Sequence, residues 1–149
     1  MALETEAGGV LWCRPVHSLG ILLVENDSSV MEACEILSLW GHRIYWAPSA
    51  DASIVVAIHH GDDIDMVIAS RDLPDDSGLD VVKTLASCLA RPVPTVLLIE
   101  ADLSDDESAR AADFKVMKKP ITKTDLQCAI GWARSQANRL QPATTRWKR

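Results

Sequence analysis

A chain of 149 residues, 48% hydrophobic and 24% charged, has the composition of one globular domain and no room for a second substantial one. Its longest apolar runs are about five residues, too short for a membrane-spanning helix. The net charge of −6 argues against broad nucleic-acid binding, because phosphates would be repelled.

Residues 1–18 hold no sustained period and read as a leader or linker, with Val10, Leu11 and Trp12 as its apolar part. They lack a basic start, a long apolar core and a cleavage site, so a cytoplasmic location is expected. Ile21-Leu22-Leu23-Val24 then meets Glu25-Asn26-Asp27 abruptly. A continuous apolar run of this length fits a strand buried on both faces. Ser28 or Ser29 can cap the helix that follows, whose Val30, Ala33, Cys34 and Leu37 recur at helical spacing until Gly41.

The alternation repeats. Arg43 to Ala47 reads as a strand and Ser49 to His60 as a helix ended by Gly61. Met66 to Ala69 is a third strand. Ser77 to Leu89 is a helix with Leu79, Val82, Leu85 and Ala86 on one side. Thr95 to Ile99 is the fourth strand, and Ser104-Asp105-Asp106-Glu107 has the spacing of a capping box opening a fourth helix. Lys115 to Met117 is a fifth strand. The last helix opens near Thr122 or Thr124 and carries Leu126, Ala129, Ile130, Ala133 and Leu140 as its apolar stripe. After Ala133 there is no Asp or Glu but five basic residues, Arg134 and then Arg139, Arg146, Lys148 and Arg149 in a basic tail over 138–149. That tail reads as solvated, or as a contact for an acidic partner.

Five strand-helix units in series imply an α/β domain of three layers, a five-stranded parallel sheet covered on both faces with right-handed crossovers. In such sheets the functional crevice lies beyond the carboxyl ends of the strands. The residues there are Glu25-Asn26-Asp27, Ser70-Arg71-Asp72, Ile99-Glu100 and Lys118-Lys119-Pro120. The four cysteines form no C-x-x-C pair and are expected to be reduced thiols. His59 and His60 stand adjacent at a helix end and read as surface residues rather than metal ligands.

From about Gly20 to Ser135 the chain resembles the receiver (CheY-like) domain of two-component response regulators. The resemblance rests on Ile21 through Asp27, on Asp65 through Pro74 with Gly78-Leu79, and on Lys118-Lys119-Pro120-Ile121, three pieces in order on matching units. Leu39-Trp40-Gly41 also resembles receivers attached to hybrid sensor histidine kinases. The resemblance implies a flavodoxin-like strand order 2-1-3-4-5. It also implies phosphoryl transfer from a kinase histidine to an aspartate after strand 3, with Mg2+ held by an acid pair, a lysine on the phosphate, a Thr or Ser after strand 4 that follows it, and an aromatic switch residue on strand 5.

Carried over position by position, the acid pair falls on Glu25 and Asn26, the phosphoacceptor on Ser70, the Thr/Ser position on Ile99, the aromatic on Val116 and the lysine on Lys119, followed by Pro120 as the cis proline. Most of these depart from the pattern. A neutral serine cannot form an acyl phosphate and has no evident base beside it. With Ser70 and Asn26 uncharged, Glu25 alone is a poor Mg2+ ligand, so no metal or other cofactor is expected. The sequence therefore reads as a degenerate pseudo-receiver: not an enzyme, and active by binding a protein partner such as a histidine kinase or another regulator.

Lys119 is expected to pair with Glu25 and to hydrogen-bond to Ser70 or Asn26. Trp132 departs from its helix's apolar stripe and is the candidate partner contact; the face of the fourth helix, fifth strand and last helix is where receivers make output and homodimer contacts. Trp40, Tyr45 and Trp46 read as core. Three alternatives stay open: a phosphoaccepting receiver with Asp72 or Asp27 as acceptor, the receiver portion of a hybrid sensor kinase, and a ligand-binding flavodoxin-like module. Asp72, Asp75 and Asp76 otherwise read as a solvated acidic loop.

Overall fold

In a computed structural model, described here for residues 18–75, 77–89, 91–100 and 114–140, the strands are β1 (Gly20–Val24), β2 (Arg43–Ala47), β3 (Met66–Ser70), β4 (Thr95–Ile99) and β5 (Lys115–Lys118). The helices are α1 (Ser29–Leu39), α2 (Ala50–His60), α3 (Gly78–Cys88) and α4 (Lys123–Leu140), with a 3-10 turn at Gly61–Asp63. The side chains of residues 29, 79 and 137–140 lie outside the description, as does the helix expected from Ser104.

All strands pair parallel, in the order β2-β1-β3-β4-β5. The short apolar runs follow from this placement. Along β1, Ile21 and Leu23 enter a core with α1 and α4, while Leu22 and Val24 enter a second core with α2 and α3. β3 splits the same way, with Met66 and Ile68 on one side and Val67 and Ala69 on the other. The inner strands are apolar except at their ends, where β3 finishes on Ser70 and β4 starts on Thr95, because both faces are covered.

α1 buries Val30, Ala33 and Leu37, and α4 buries Leu126, Ala129, Ile130 and Ala133. α3 is rotated from its expected orientation. It buries Val81, Val82, Leu85 and Leu89, while Ala86 is exposed. That stripe is in phase with Gly78, which lies so close to the Ser70 carbonyl that a β-carbon there would collide with it.

The helix ends also differ in detail. Ser28 stands at the N-cap of α1 but makes no capping bond. Ser49 caps α2 by accepting from the Ala52 amide at 3.2 Å. Gly41 closes α1 at φ 93°, whereas Gly61 continues into the 3-10 turn at φ −55°. α4 opens on a reciprocal box: Thr122 Oγ1 accepts from the Asp125 amide and Asp125 Oδ2 from the Thr122 amide.

Trp40 and Trp46 do not join the core, being 37% and 46% exposed. β2 is an edge strand, so its outer side is open to solvent. Tyr45 is half-buried and stacks on His60 with ring centroids 4.9 Å apart.

Candidate functional site

The carboxyl ends of β1, β3, β4 and β5 bring Glu25, Ser70, Ile99, Glu100 and Lys119 to one rim. Backbone hydrogen bonds fix each end. The Glu25 amide donates to the Ala47 carbonyl at 3.1 Å, Arg71 to Leu98 at 2.8 Å, and Lys119 to Ile99 at 2.9 Å. The Lys119–Pro120 peptide bond is cis.

Glu25 is 3% exposed. Its Oε1 accepts from the amides of Asn26 and Asp27 at 2.9 and 3.1 Å. Its Oε2 lies 2.7 Å from Lys119 Nζ. That oxygen is buried with no aligned hydrogen-bond donor, so the ammonium charge is what compensates it. Glu100 Oε2 lies 3.4 Å from the same ammonium, on the solvent side. Burial works against the charge on Lys119, but the close carboxylate of Glu25, joined by Glu100, outweighs it and holds the ammonium above the usual lysine range.

The lysine thus bridges two carboxylates: the expected pair with Glu25 forms, and its second partner is Glu100 instead of the hydroxyl of Ser70 or the amide of Asn26. Ser70 is 1% exposed, and its hydroxyl donates to the Asp72 carbonyl over a long 3.5 Å. Asn26 is exposed. Ile99 is buried, and with Leu97 it packs against Phe114 and Val116. Glu100 is a crevice residue whose pairing with Lys119 the resemblance does not imply. Its signal was its place directly after a strand, the same place that Glu25 and Lys119 hold.

Asp72 turns away from this cluster. Its carboxylate meets Arg71 at 3.1 Å and is 55% exposed. Asp75 is not merely a solvated loop residue. Its two oxygens accept from the amides of Ala50 and Asp51 at 2.9 and 3.2 Å, so the loop after β3 caps α2 from outside, and these bonds pull its carboxyl below the usual range. Trp46 Nε1 donates to the Glu25 carbonyl at 2.8 Å, which ties the edge strand to the rim. Trp132 is half-buried against the core that α1 and α4 share. His59 keeps its ring on the Val55 carbonyl at 2.9 Å. No group of three or more His, Cys, Asp or Glu side chains is arranged for a metal ion among the described residues, and no described helix is long and apolar enough to cross a membrane.

No family model matches the chain, and no curated protein does. Solved structures do. A response regulator receiver domain protein from Clostridium thermocellum is 23% identical, with a TM-score of 0.70 over 83% of this chain and 99% of that one. A CheY-like receiver domain protein from Methanospirillum hungatei JF-1 is 16% identical, with a TM-score of 0.69 over 82% and 98%. A CheY-like receiver domain from Methylobacillus flagellatus is 23% identical, with a TM-score of 0.66 over 78% and 98%. What is shared at these identities is the architecture: the chain has the fold of response-regulator receiver domains.

Proposed function

We propose that this chain is a pseudo-receiver, a signalling domain that works by binding a protein partner and is never phosphorylated. The observation that carries the reading is the salt bridge of Lys119 to the buried Glu25, at 2.7 Å. The lysine that would hold an incoming phosphoryl group already neutralises the one buried acid of the rim. Beside them the acceptor position is a buried, neutral hydroxyl, and Ile99 presents no donor that could follow a phosphate.

The donor set does not fit Mg2+. Both oxygens of Glu25 are engaged, one by two amides and one by the ammonium. Asn26 offers an amide and Ser70 a hydroxyl, where a hard divalent ion calls for carboxylate or phosphate. A direct ion pair replaces a metal-centred cluster. The chain's conformation is then set by which state its partner binds better, with a histidine kinase or another regulator as that partner, and no reaction is catalysed.

Incubation with Mg2+ and acetyl phosphate, read by intact mass, tests this. The expected spectrum shows the unmodified chain alone, under conditions that load an active receiver. A stoichiometric phosphoprotein, mapped to Asp72 or Asp27, would establish the alternative of a phosphoaccepting receiver.

A further inference from the structure

α2 is built inside out. Its buried residues are the small ones, Ala50, Ser53 and Ala57, which let it sit close against the sheet and α3. Ile54 and Val56 pack half-buried against the same core, but Val55 is 53% and Ile58 65% exposed. Val55 and Ile58, three residues apart, form an apolar patch on the exposed side of the helix, and such patches mark interaction sites. β-branched residues also hold an exposed helix less well than the Lys, Glu or Gln that could stand there. Val55 and Ile58 belong to neither core.

The surroundings specify what covers them. Asp51, Val55 and Ile58 follow at spacings of four and three on the outer face of α2, and Asp62 and Asp63 lie in the 3-10 turn just beyond its end, so acids flank the apolar pair on both sides. Beyond the helix end, a groove is lined by Ile58, His59, His60, Asp62, Asp63 and Cys88. A helix C-terminus itself favours a cation. Two copies meeting through this face would set acid against acid, which disfavours a symmetric dimer.

We propose that the outer face of α2 is a docking surface for a partner segment that presents apolar side chains flanked by Lys or Arg, with one cation seated in the groove by Asp62 and Asp63. The inference rests on the reading that the domain works by protein binding. It moves the contact to the β2 edge of the sheet, away from Trp132.

The probe is a synthetic amphipathic Leu/Lys helix titrated into the 15N-labelled full chain, with a Leu/Glu helix of the same pattern as control. Expected are saturable shifts centred on residues 51–63, no binding of the Leu/Glu helix, and weakening by salt. Ile58→Glu and the double variant Val55→Glu/Ile58→Glu lower the affinity tenfold or more while the remaining amide spectrum stays native. Shifts centred on β5 and α4, or equal affinity of Ile58→Glu and the original chain, overturn the proposal. So does sedimentation as a dimer that Ile58→Glu dissolves, since a second copy is then the occupant. Loss of the α2 surface in this way leaves the phosphorylation experiment unaffected, so the two readings fail separately.

Discussion

Replacing Lys119 with Met keeps the unbranched stem but removes the charge opposite Glu25. Breaking a buried ion pair from one side costs about 3–5 kcal/mol, because the remaining charge is left uncompensated. Here Glu25 keeps two amide donors on Oε1, and the Lys119 side chain is 14% exposed, so water relieves part of the loss. The expected cost is therefore about 2–3 kcal/mol, below the range for a fully buried pair. Adding Glu25→Gln to Lys119→Met removes the stranded charge while the amide oxygen still accepts from Asn26 and Asp27. The double variant should recover most of the loss, with a coupling energy of about 1–2 kcal/mol. Urea unfolding followed by circular dichroism, with a common m-value, measures all four corners of this cycle. A Lys119→Met variant that loses less than about 0.5 kcal/mol, or a double variant no more stable than that single one, would refute the account of the pair. The pH dependence gives a second check. Since the folded state raises the lysine above its ordinary 10.5, the pair's contribution is complete below that value and fades as the pH climbs through the folded one. Lys119→Met should lack that alkaline component.

Further expectations concern the supports of the site. The Leu19 amide donates to His42 Nδ1 at 3.0 Å, so that nitrogen must be unprotonated, and burial with the charges of Arg134 and Arg43 lowers the imidazole below its ordinary 6.5. His42 thus supports the fold above pH 6.5 and loses that support as acidification approaches the folded value; thermal melts of His42→Asn should lack this slope. Gly78→Ala drives a methyl into the Ser70 carbonyl and should cost about 1–3 kcal/mol in urea unfolding. Asp75→Ala removes two acceptors from the start of α2, and hydrogen exchange at Ala50 and Asp51 should quicken while β1 and β3 stay protected. An unchanged exchange rate would mean that water satisfies those amides equally well.

The fold was legible because each inner strand is sealed on both faces. Ile21 to Val24 and Val96 to Ile99 leave no polar position to blur the run, and polar residues resume where the strand leaves the core. The third strand ends on Ser70, one residue past the apolar run, and Gly78 is the glycine that lets α3 approach its carbonyl. The partners of Lys119 were only half legible. Pairing with Glu25 follows from opposite charges carried to one rim of the sheet, whereas the choice of Glu100 over Ser70 depends on how the β4 and β5 termini sit in three dimensions. Trp40 and Trp46 misled because aromatic residues usually fill cores, whereas Trp40 stands at the C-cap of α1 and Trp46 on the edge strand β2. The cap that Asp75 lends to α2 was hidden because donor and acceptor belong to loops far apart in the chain.

Glu25 and Lys119 lie on strands that are not neighbours: β1 and β5 meet only through β3 and β4. Their bridge can close only after the intervening strands have been laid down, which places it among the last contacts to form. It should therefore act as a latch on the finished domain. Cutting it in Lys119→Met should speed escape from the native state in stopped-flow experiments and leave the rate of reaching that state nearly untouched.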